Sequence, residues 1–424
     1  MANLANLVNF SAGSLAVGDW TYSAYPLSAP AYLPLNDDTA SYLTSSYPTL
    51  GAIYAPTTVA YSASTITTLP NSQNSYTYNM VYGNGSFLGW TANGSVITSP
   101  DGSTWTSSGI GTAALHSYAG YWTGGWASVA YGNGKFVAVR TTNNLPGQTT
   151  PGASAVSYDN GLTWVYGYLP TVQFNTSAAN FWNAIIYAGN VFVAVGSLYD
   201  SVNTSFYGVY AYSPDGVDWT ASSNTTVSAL FNPISNYLAY GNGILLQLYR
   251  QTGSTGATVQ KSTNKGASWT TPGGSPPSLF YNSMTYGAGL FVAVGASATN
   301  TNTTSYTTTP DGVTWTTRTL PVSLAWQSIT YANGFFVAVG QDSAAGATTV
   351  AVATSADGIN WTSRTVDSAS YRGAVAGGKG KFVYASNWGS STGGVLINLN
   401  TAASSFSLPY VRPVPGTQTY IKAT

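Results

Sequence analysis

The chain has 424 residues, no Cys, a single His and only 6% charged residues, and its 12 basic and 12 acidic side chains cancel. All 12 acids are Asp, and the first basic residue is Lys135. These counts exclude disulfide bonds, the usual Cys/His zinc sites and a basic patch for nucleic acid. No apolar run reaches the roughly 18 residues of a membrane span. We therefore expect no metal, no nucleic-acid partner and no membrane insertion, and nothing in the sequence indicates a cofactor.

The rest of the composition is that of a folded β-protein. Hydrophobic residues make up 44% of the chain and aromatic residues 14%, whereas disordered segments are poor in aromatics and rich in charge. Ser, Thr, Asn, Gly and Tyr take the place of charge, as on rigid extracellular or virion β-proteins. Because residues 1–134 contain no Lys or Arg, the sequence does not predict a secretory signal.

The first 72 residues do not follow the repeat that fills most of the chain. We predict that residues 1–72 form an irregular N-terminal attachment segment, because the stretch is almost free of charge and has no core pattern of its own. Within it, 64–70 resembles 316–321, the fourth strand of a later repeat. This stretch is therefore a candidate for closing a ring of repeats, in competition with 404–409.

A Tyr, a turn of small residues and an apolar run recur from residue 82 onward. Such Gly-Asn-Gly turns require a positive φ and are strong hairpin signals. The first residues of the copies are Tyr82, Tyr131, Tyr187, Tyr240, Tyr286 and Tyr331, and a degenerate seventh copy covers 376–382.

A second phrase follows each of these hairpins and ends in Trp. Its Asp or Asn is expected to accept backbone N–H groups of its own turn, and its Trp is expected to bury a large ring. The six pairs are Asp101 and Trp105, Asp159 and Trp164, Asp215 and Trp219, Asn264 and Trp269, Asp311 and Trp315, and Asp357 and Trp361. A degenerate seventh copy has Phe406 in place of Trp.

Each repeat contains four short β-patterned runs, which in the second repeat lie near 126–131, 135–140, 153–158 and 163–168. Repeats of four antiparallel strands at this period are typical of β-propellers. We therefore predict an all-β fold in which 73–409 form one seven-bladed β-propeller of four-stranded antiparallel blades. Residues 410–424 are then a C-terminal tail.

The second phrase resembles the Asp-box, or bacterial neuraminidase repeat, Ser/Thr-x-Asp-x-Gly-x-x-Trp. The copies at 157–164 and 262–269 have its eight-residue length, and the other four are one residue shorter. The resemblance covers roughly 73–409 and implies the propeller fold. It implies little about function, because Asp boxes recur in sialidases, other glycosidases and propellers that only bind.

A second resemblance lies within residues 32–50, which read Tyr-Leu-Pro-Leu-Asn-Asp, a spacer and then Tyr-Pro-Thr-Leu. This stretch is similar to a short motif of phage tail-collar and tail-fibre proteins, although Asp38 stands where that motif usually has Gly. Together with the Asp-box repeats, it resembles a bacteriophage virion appendage. A homotrimer is compatible with the tail-fibre resemblance.

Hairpins and Asp boxes are expected at one end of the propeller, which leaves the longer, variable loops at the other. Trp126, Trp182 and Trp326 precede their repeat Tyr by five residues, as does Tyr281, and would open the innermost strands at the loop end. A ring of aromatics among Asn and Thr is typical of sugar binding, but packing between blades explains the same Trp positions. The candidate glycan-binding residues are Tyr118, Tyr121, Trp122, Trp126, Trp182, Tyr199, Tyr207, Trp326, Arg140 and Arg250.

Catalysis has weaker support. A glycosidase needs two carboxylates about 5–9.5 Å apart, but the chief acids expected at the loop end, Asp200 and Asp342, fall on nearly opposite blades. A sialidase resemblance would require three converging arginines and a Tyr activated by Glu, and the chain has no Glu. Arg140, Arg250 and Arg372 remain candidates for an anion site or for solvated surface, and His116 lacks a nucleophile motif.

The leading functional hypothesis is therefore a non-enzymatic phage structural protein, a tail fibre or appendage that adsorbs to host cell-surface polysaccharide. It would be made in the host cytoplasm, and its N-terminal segment would bind other tail or capsid proteins on the virion exterior. A purely structural tail or head decoration protein is the alternative, and a glycan-degrading enzyme is a third hypothesis.

Overall fold

The computed structural model describes residues 20–23, 32–34, 42–43, 60–66, 77–91, 95–109, 126–140, 153–170, 178–200, 205–222, 231–251, 256–297, 301–343, 349–367, 373–386, 394–400, 405–406 and 418–422. The chain divides into two compact units, one made of Met1–Ser62 with Leu399–Thr424 and the other of Ala63–Asn398.

The regular structure in these ranges is β-strand. The strands in chain order are β1 (Trp20–Ser23), β2 (Tyr32–Pro34), β3 (Tyr42–Leu43), β4 (Ala60–Ile66), β5 (Thr77–Gly83), β6 (Ser86–Thr91), β7 (Ser95–Ser99), β8 (Thr106–Gly109), β9 (Trp126–Gly132), β10 (Lys135–Arg140), β11 (Ala153–Ser157), β12 (Val165–Tyr168), β13 (Ala178–Tyr187), β14 (Phe192–Asp200), β15 (Ser205–Ser213), β16 (Thr220–Ala221), β17 (Phe231–Gly241), β18 (Ile244–Gln251), β19 (Ala257–Ser262), β20 (Phe280–Gly287), β21 (Leu290–Ala296), β22 (Thr303–Thr309), β23 (Thr316–Ala332), β24 (Phe335–Gln341), β25 (Thr349–Ser355), β26 (Thr362–Asp367), β27 (Gly373–Gly378), β28 (Lys381–Ser386), β29 (Gly394–Asn400), β30 (Ser405–Phe406) and β31 (Gln418–Lys422).

Seven antiparallel blades form the larger unit, which confirms the predicted propeller. Blades 1, 2 and 3 are β5–β8, β9–β12 and β13–β16, and blade 4 is β17–β19 with a bridge from Lys261 to Thr270 as its fourth strand. The long strand β23 is the outer strand of blade 5 (β20–β23) and the innermost strand of blade 6 (β23–β26). The innermost strands β5, β9, β13, β17, β20, β23 and β27 lie side by side, and β27 again lies against β5, so the ring is closed.

Blade 7 is completed by a strand from the N-terminal part of the chain. Its sheet has the order β27–β28–β29–β4, so the edge for which two segments competed belongs to β4. The other candidate, β30, pairs with β3. In the smaller unit, β31 also pairs on its two sides with β1 and β2.

The hairpins between the first two strands of the blades have the predicted turn chemistry. In blade 1, Asn84 has a φ of 46° and Gly85 a φ of 79°, and Gly83 pairs with Ser86 across this two-residue loop. Positive φ at both central residues is the type I′ turn, whose twist matches the flanking strands. In blade 3 the loop is longer, and Tyr187 pairs with Phe192.

The Gly that follows the repeat Tyr in blades 1, 2, 4 and 5 also lies at a joint between blades. A Cβ atom on Gly83 would lie 2.0 Å from Cγ of Tyr131, so the tyrosine of blade 2 packs directly on the backbone of blade 1. The same clash arises between Gly378 and Tyr82, which joins blade 7 to blade 1. The recurring dipeptide therefore records blade-to-blade contact as well as turn geometry.

Separate apolar cores fill the spaces between neighbouring blades, and they contain the three Trp residues that open innermost strands. Trp182 and Trp326 are completely buried, and Trp126 is 4% exposed. Each packs with the residue three positions later, for example Trp326 with Ile329. Blade packing, the alternative left open above, accounts for these indoles, because a fully buried ring has no face on which a sugar can stack.

Candidate functional site

The Asp boxes account for most of the acidic side chains that the structure describes. In blade 6, Ser355 Oγ donates to Asp357 Oδ1 (2.9 Å) and accepts the Gly358 N–H (2.9 Å). Asp357 Oδ1 also accepts the N–H groups of Ile359 and Asn360, both at 2.8 Å. The boxes of blades 1, 3 and 5 repeat this pattern. Each carboxylate thus stabilises its own turn, as predicted.

The two eight-residue boxes use a different set of bonds. In blade 2, Asp159 accepts one backbone N–H, from Thr163 (2.9 Å), together with the Thr163 hydroxyl (2.6 Å). In blade 4, Asn264 Oδ1 accepts the Ser268 N–H at 2.9 Å in the same way. The extra residue moves the side-chain acceptor further from its donor, so in the longer turn this side chain accepts fewer backbone N–H groups.

These hydrogen bonds lower the pKa values of the box carboxyls. At Asp101 the Thr104 N–H is the main cause of a pKa well below the usual range. At Asp357 burial opposes ionisation, but the N–H groups of Asn360 and Ile359 outweigh it and lower the pKa to about 2. The pKa values of Asp159, Asp215 and Asp311 are lowered too. A permanently ionised carboxylate in bonded turns is a structural group and a poor proton donor.

Hairpins and boxes lie at the same end of the propeller, which we call the hairpin end. Asn84, in the hairpin of blade 1, donates to Asn160, in the box of blade 2, at 2.8 Å. Lys381, which follows the hairpin of blade 7, donates to the Asp101 carbonyl in the box of blade 1 at 3.0 Å. The remaining connections between strands therefore belong to the opposite end, which we call the loop end.

An exposed apolar stripe distinguishes blade 2. The structure describes seven large hydrophobic side chains as strongly exposed, and five of them belong to the box and outer strand of this blade. They are Tyr158, Leu162, Val165, Tyr166 and Tyr168. Tyr166 is 45% and Tyr168 is 70% exposed, and both belong to β12, the edge strand of its sheet.

Strand register places Tyr166 and Tyr168 on the same face of blade 2 as two predicted site residues. Trp126, Arg140, Ala153 and Tyr168 stand opposite one another across the four strands, at the loop end of the blade. The Tyr166 ring stacks over the Trp126 ring with centroids 6.3 Å apart and planes 29° apart. We call Trp126, Arg140, Tyr166 and Tyr168 the blade 2 cluster.

Arg140 gives this face a partly buried positive charge. Burial lowers the pKa of its guanidinium, and the neighbouring Tyr166 phenol acts in the opposite direction. A guanidinium stays protonated at any physiological pH despite such a change. The cluster therefore combines two exposed phenol rings, an indole behind one of them and a fixed cation.

Gly167 fixes the direction of both tyrosines. A Cβ atom on Gly167 would lie 2.6 Å from Ser154 Oγ and 3.0 Å from the Val217 carbonyl of blade 3. Residue 167 therefore faces blade 3, and residues 166 and 168 must face the other way, because side chains alternate along a strand. The tight contact with blade 3 holds β12 in place before any ligand arrives.

No comparable aromatic pair occurs at the equivalent positions of blades 1, 3, 4, 5 and 6. In each repeat the residue equivalent to Tyr166 lies two positions after the box Trp. These residues are Ser107, Ala221, Thr271, Thr317 and Ser363. The residues equivalent to Tyr168 are Gly109 in blade 1, Thr319 in blade 5 and Thr365 in blade 6.

The other predicted glycan-binding residues are distributed widely. Tyr118, Tyr121, Trp122 and His116 lie outside the described residues, as does Arg372. Tyr199 lies in β14 and Arg250 in β18, and Tyr207 is half-buried against the core between blades 2 and 3. Of the predicted set, the structure brings Trp126 and Arg140 together.

Sequence reasoning missed Tyr166 and Tyr168. The signal available was the run Val165-Tyr166-Gly167-Tyr168 in the fourth strand, where the other repeats have Thr and Ser. Nothing in this run alone distinguishes an exposed tyrosine pair from one that packs against the neighbouring blade.

The remaining acid at the loop end that the structure describes in full is Asp342. Its carboxylate accepts a bond from Asn302 at 2.7 Å, and Asn302 in turn accepts the Ser343 N–H at 2.9 Å, which ties the loops of blades 5 and 6 together. Within the described ranges, no group of three or more His, Cys, Asp or Glu side chains could hold a metal ion. The same part of the chain contains no helix long and apolar enough to span a membrane.

Comparison with known proteins supports the propeller fold but does not assign the chain to a family. No family model and no curated protein sequence matches the chain. The Hadza microbial sialidase Hz136 superposes with a TM-score of 0.50 and 15% identity over 78% of this chain and 67% of that one. YCF48 bound to a D1 peptide gives a TM-score of 0.48 at 13% identity, over 84% and 97% of the two chains.

The sialidase of Trypanosoma rangeli in complex with sialic acid has a TM-score of 0.48 and 13% identity, over 81% of this chain and 59% of the sialidase. The chain is thus structurally similar to sialidase-type β-propellers. At such low identity this similarity concerns the fold alone.

Proposed function

We propose that this chain is a non-catalytic component of a bacteriophage virion, a tail fibre or similar appendage, that adsorbs to host surface polysaccharide through the blade 2 cluster. The observation that carries the binding part of this proposal is the pair of exposed tyrosines on β12, backed by Trp126 and Arg140. Exposed aromatic rings beside hydrogen-bonding groups suit ligands with one apolar and one polar face, which is the chemistry of sugar rings.

The described acids favour binding over hydrolysis. The box carboxylates are engaged in their own turns, and Asp342 is held by Asn302. A glycosidase requires a carboxylic acid whose pKa is raised, whereas the box carboxyls have lowered pKa values. An enzyme of this class would have to draw its acid and base from other parts of the chain.

The virion part of the proposal depends on the tail-collar-like stretch at 32–50 in the N-terminal segment. In this proposal the segment binds other tail or capsid proteins, and the propeller is presented outward. The rival, a structural decoration protein, differs in one respect that can be measured: its propeller is packed between other virion proteins and has no glycan affinity.

The test is binding of the full-length chain to surface polysaccharide purified from the strain that the phage infects. We expect Tyr166→Ala and Tyr168→Ala each to weaken binding by about 1–3 kcal/mol, on the scale of an aromatic ring stacked on a nucleobase. Binding should persist in 1 M salt, where the Debye length is about 3 Å, because stacking and neutral hydrogen bonds dominate.

The matched controls are Ser363→Ala and Thr365→Ala, which change the equivalent positions of blade 6 and should leave binding unchanged. If the wild-type chain does not bind, or if both tyrosine variants bind like the wild type, adsorption through blade 2 is wrong and the decoration role is favoured. Release of reducing sugar over time would instead indicate an enzyme.

A further inference from the structure

The geometry of β12 defines the form of ligand that the blade 2 cluster can take. Tyr166 and Tyr168 are two residues apart on an extended strand, so their attachment points are about 7 Å apart on the same face. Both rings are exposed, and Gly167 between them points away into blade 3. Two phenols attached at this spacing on one face can each contact one of two consecutive sugar rings in a chain.

The surroundings of the strand favour an extended ligand over a compact one. β12 is the last strand in the order β12–β11–β10–β9, and no strand that the structure describes lies beyond it. A site on a sheet edge runs along the strand, whereas a pocket that recognises a single sugar or a chain end must close around it. A polymer bound along such an edge strand can continue beyond both of its ends.

The strand that carries both tyrosines is held in place, which matters for a chain-like ligand. Trp126 stacks behind Tyr166, and the Gly167 contact with Val217 fixes the strand. Because the backbone of β12 and the Tyr166 ring are fixed before binding, a second sugar ring on Tyr168 adds its contact at the ordering cost of one side chain only. Affinity should therefore rise steeply when a ligand grows from one ring to two or more.

We infer that the blade 2 cluster binds an internal segment of a linear polysaccharide, with consecutive sugar rings on Tyr166 and Tyr168, and does not recognise a terminal monosaccharide. This inference rests on the proposed function, since it specifies the ligand of the same site. It assigns the two tyrosines to adjacent subsites, with Tyr166 over Trp126 as the more rigid of the two.

The experiment compares a size ladder of ligands in solution with the full-length chain. The probes are the intact host polysaccharide, its size-fractionated hydrolysis products of one to eight residues, and its constituent monosaccharides. We expect oligosaccharides of two to four residues to bind about 5- to 150-fold more tightly than the monosaccharide, the span that one further stacked ring gives. Reduction of the terminal sugar of a longer oligosaccharide to an alditol should leave its affinity unchanged.

Variants separate the two subsites. Tyr168→Ala should remove most of the gain between one and two or more rings, so that its ladder becomes flat, while Thr365→Ala in blade 6 should keep the full ladder. Circular dichroism and the urea midpoint of each variant confirm that it is folded.

Each outcome has a defined consequence. A monosaccharide that binds within threefold of the tetrasaccharide, or an oligosaccharide that loses binding when its end is reduced, overturns the internal-segment inference and leaves adsorption intact. Absence of binding to the intact polysaccharide overturns the proposed function, and the inference fails with it.

Discussion

Blades 2 and 6 share the same order of four antiparallel strands and present different edges to solvent. In blade 6 the outer strand begins with a hydroxyl pair, Thr354 and Thr362 at 3.2 Å, and continues Ser-Arg-Thr-Val-Asp. In blade 2 the corresponding pair is Val156 and Val165, followed by Tyr-Gly-Tyr. Natural edge strands commonly carry charge, which discourages pairing with other chains. Blade 6 follows that practice with Arg364 and Asp367, whereas β12 has no charged residue.

This difference shows how a repeat fold can acquire a site without disturbing its frame. The residues that build every blade, namely the hairpin, the box and the second strand, are retained in blade 2. The aromatic pair occupies exposed positions of the outer strand. Binding residues are therefore expected at positions where one blade differs from the others, whereas the residues that the blades share form the scaffold.

The largest expected effect on the difference between blades 2 and 6 comes from substitution of the glycine between the two tyrosines. Gly167→Ala places a Cβ against Ser154 Oγ and the Val217 carbonyl, and Ser154 cannot rotate freely because it donates to the Gly216 carbonyl at 3.0 Å and accepts the Trp219 N–H at 3.1 Å. We expect a loss of about 1–3 kcal/mol in unfolding free energy, as for other overpacked sites. Displacement of β12 should also weaken polysaccharide binding about tenfold or more.

The control for this prediction is Arg364→Ala, at the position of blade 6 that corresponds to Gly167. It should leave polysaccharide affinity at the wild-type value. Unchanged affinity in Gly167→Ala, measured under conditions where the variant is fully folded, would show that β12 is not held against blade 3 in the way described.

The second test concerns how the two blades are anchored to the blade before them. The box of blade 6 is braced by Tyr306 of blade 5, whose hydroxyl donates to the Gly358 carbonyl (3.0 Å) and accepts the Trp361 N–H (2.9 Å). The box of blade 2 has apolar Val96 at that position. We expect Tyr306→Phe to lower the unfolding free energy by about 1–3 kcal/mol, because the Gly358 carbonyl and the Trp361 N–H both lose their hydrogen bond to the hydroxyl.

A matched substitution exists at the same place in another repeat. Tyr210 stands three residues before the first residue of its box, as Tyr306 does, but its buried hydroxyl has no hydrogen-bond partner among the described residues. The carbonyl it could have reached, that of Gly266, accepts from Ser222. Tyr210→Phe should therefore be neutral or slightly stabilising in urea unfolding. Because both variants keep the aromatic ring, equal effects of the two would mean that the hydrogen bonds of the Tyr306 hydroxyl do not stabilise blade 6.

Much of the frame could be predicted from the sequence because the repeat encodes local geometry. Asn-Gly turns and Asp-Gly boxes each determine their own backbone conformation, and six good copies fixed the number of strands and blades. The strand that closes blade 7 was narrowed to two candidates and no further. The choice depends on which of the two segments reaches the edge of β29 in the folded chain. The sequence pattern of each segment predicts a strand but does not predict its partner.

The site was harder to predict, and the Trp residues show why. Strict alternation would place Trp326 on the same side as Ser328, yet a β-bulge between them shifts the register by one residue. Trp326 therefore faces the core that contains Ile329 and Phe336. A bulge re-aims a side chain without leaving a clear signature in the sequence. Tyr166 and Tyr168 are candidates because they stay exposed in the folded chain. Their exposure depends on how the neighbouring blades pack, and the local sequence does not specify that packing.

The smallest expected difference between blades 2 and 6 is in their response to acid. The pKa of each box carboxyl is lower in the folded chain than the value of about 3.9 for an unfolded Asp. An ionised box Asp therefore stabilises the fold fully above about pH 4, and this contribution is lost as the pH falls through the folded pKa, which is about 2 for Asp357. Because the chain has no Glu and one His, we expect urea midpoints to be nearly constant from pH 5 to 8 and to fall between pH 4 and 2.

Asp357→Asn should remove more of this fall than Asp159→Asn, since Asp357 accepts two backbone N–H groups and Asp159 only that of Thr163. Asn264 in blade 4 shows that a box folds with an amide at this position, so both variants should remain native at pH 7. If both variants keep the wild-type fall below pH 4, the acid sensitivity of the propeller does not originate in its Asp boxes.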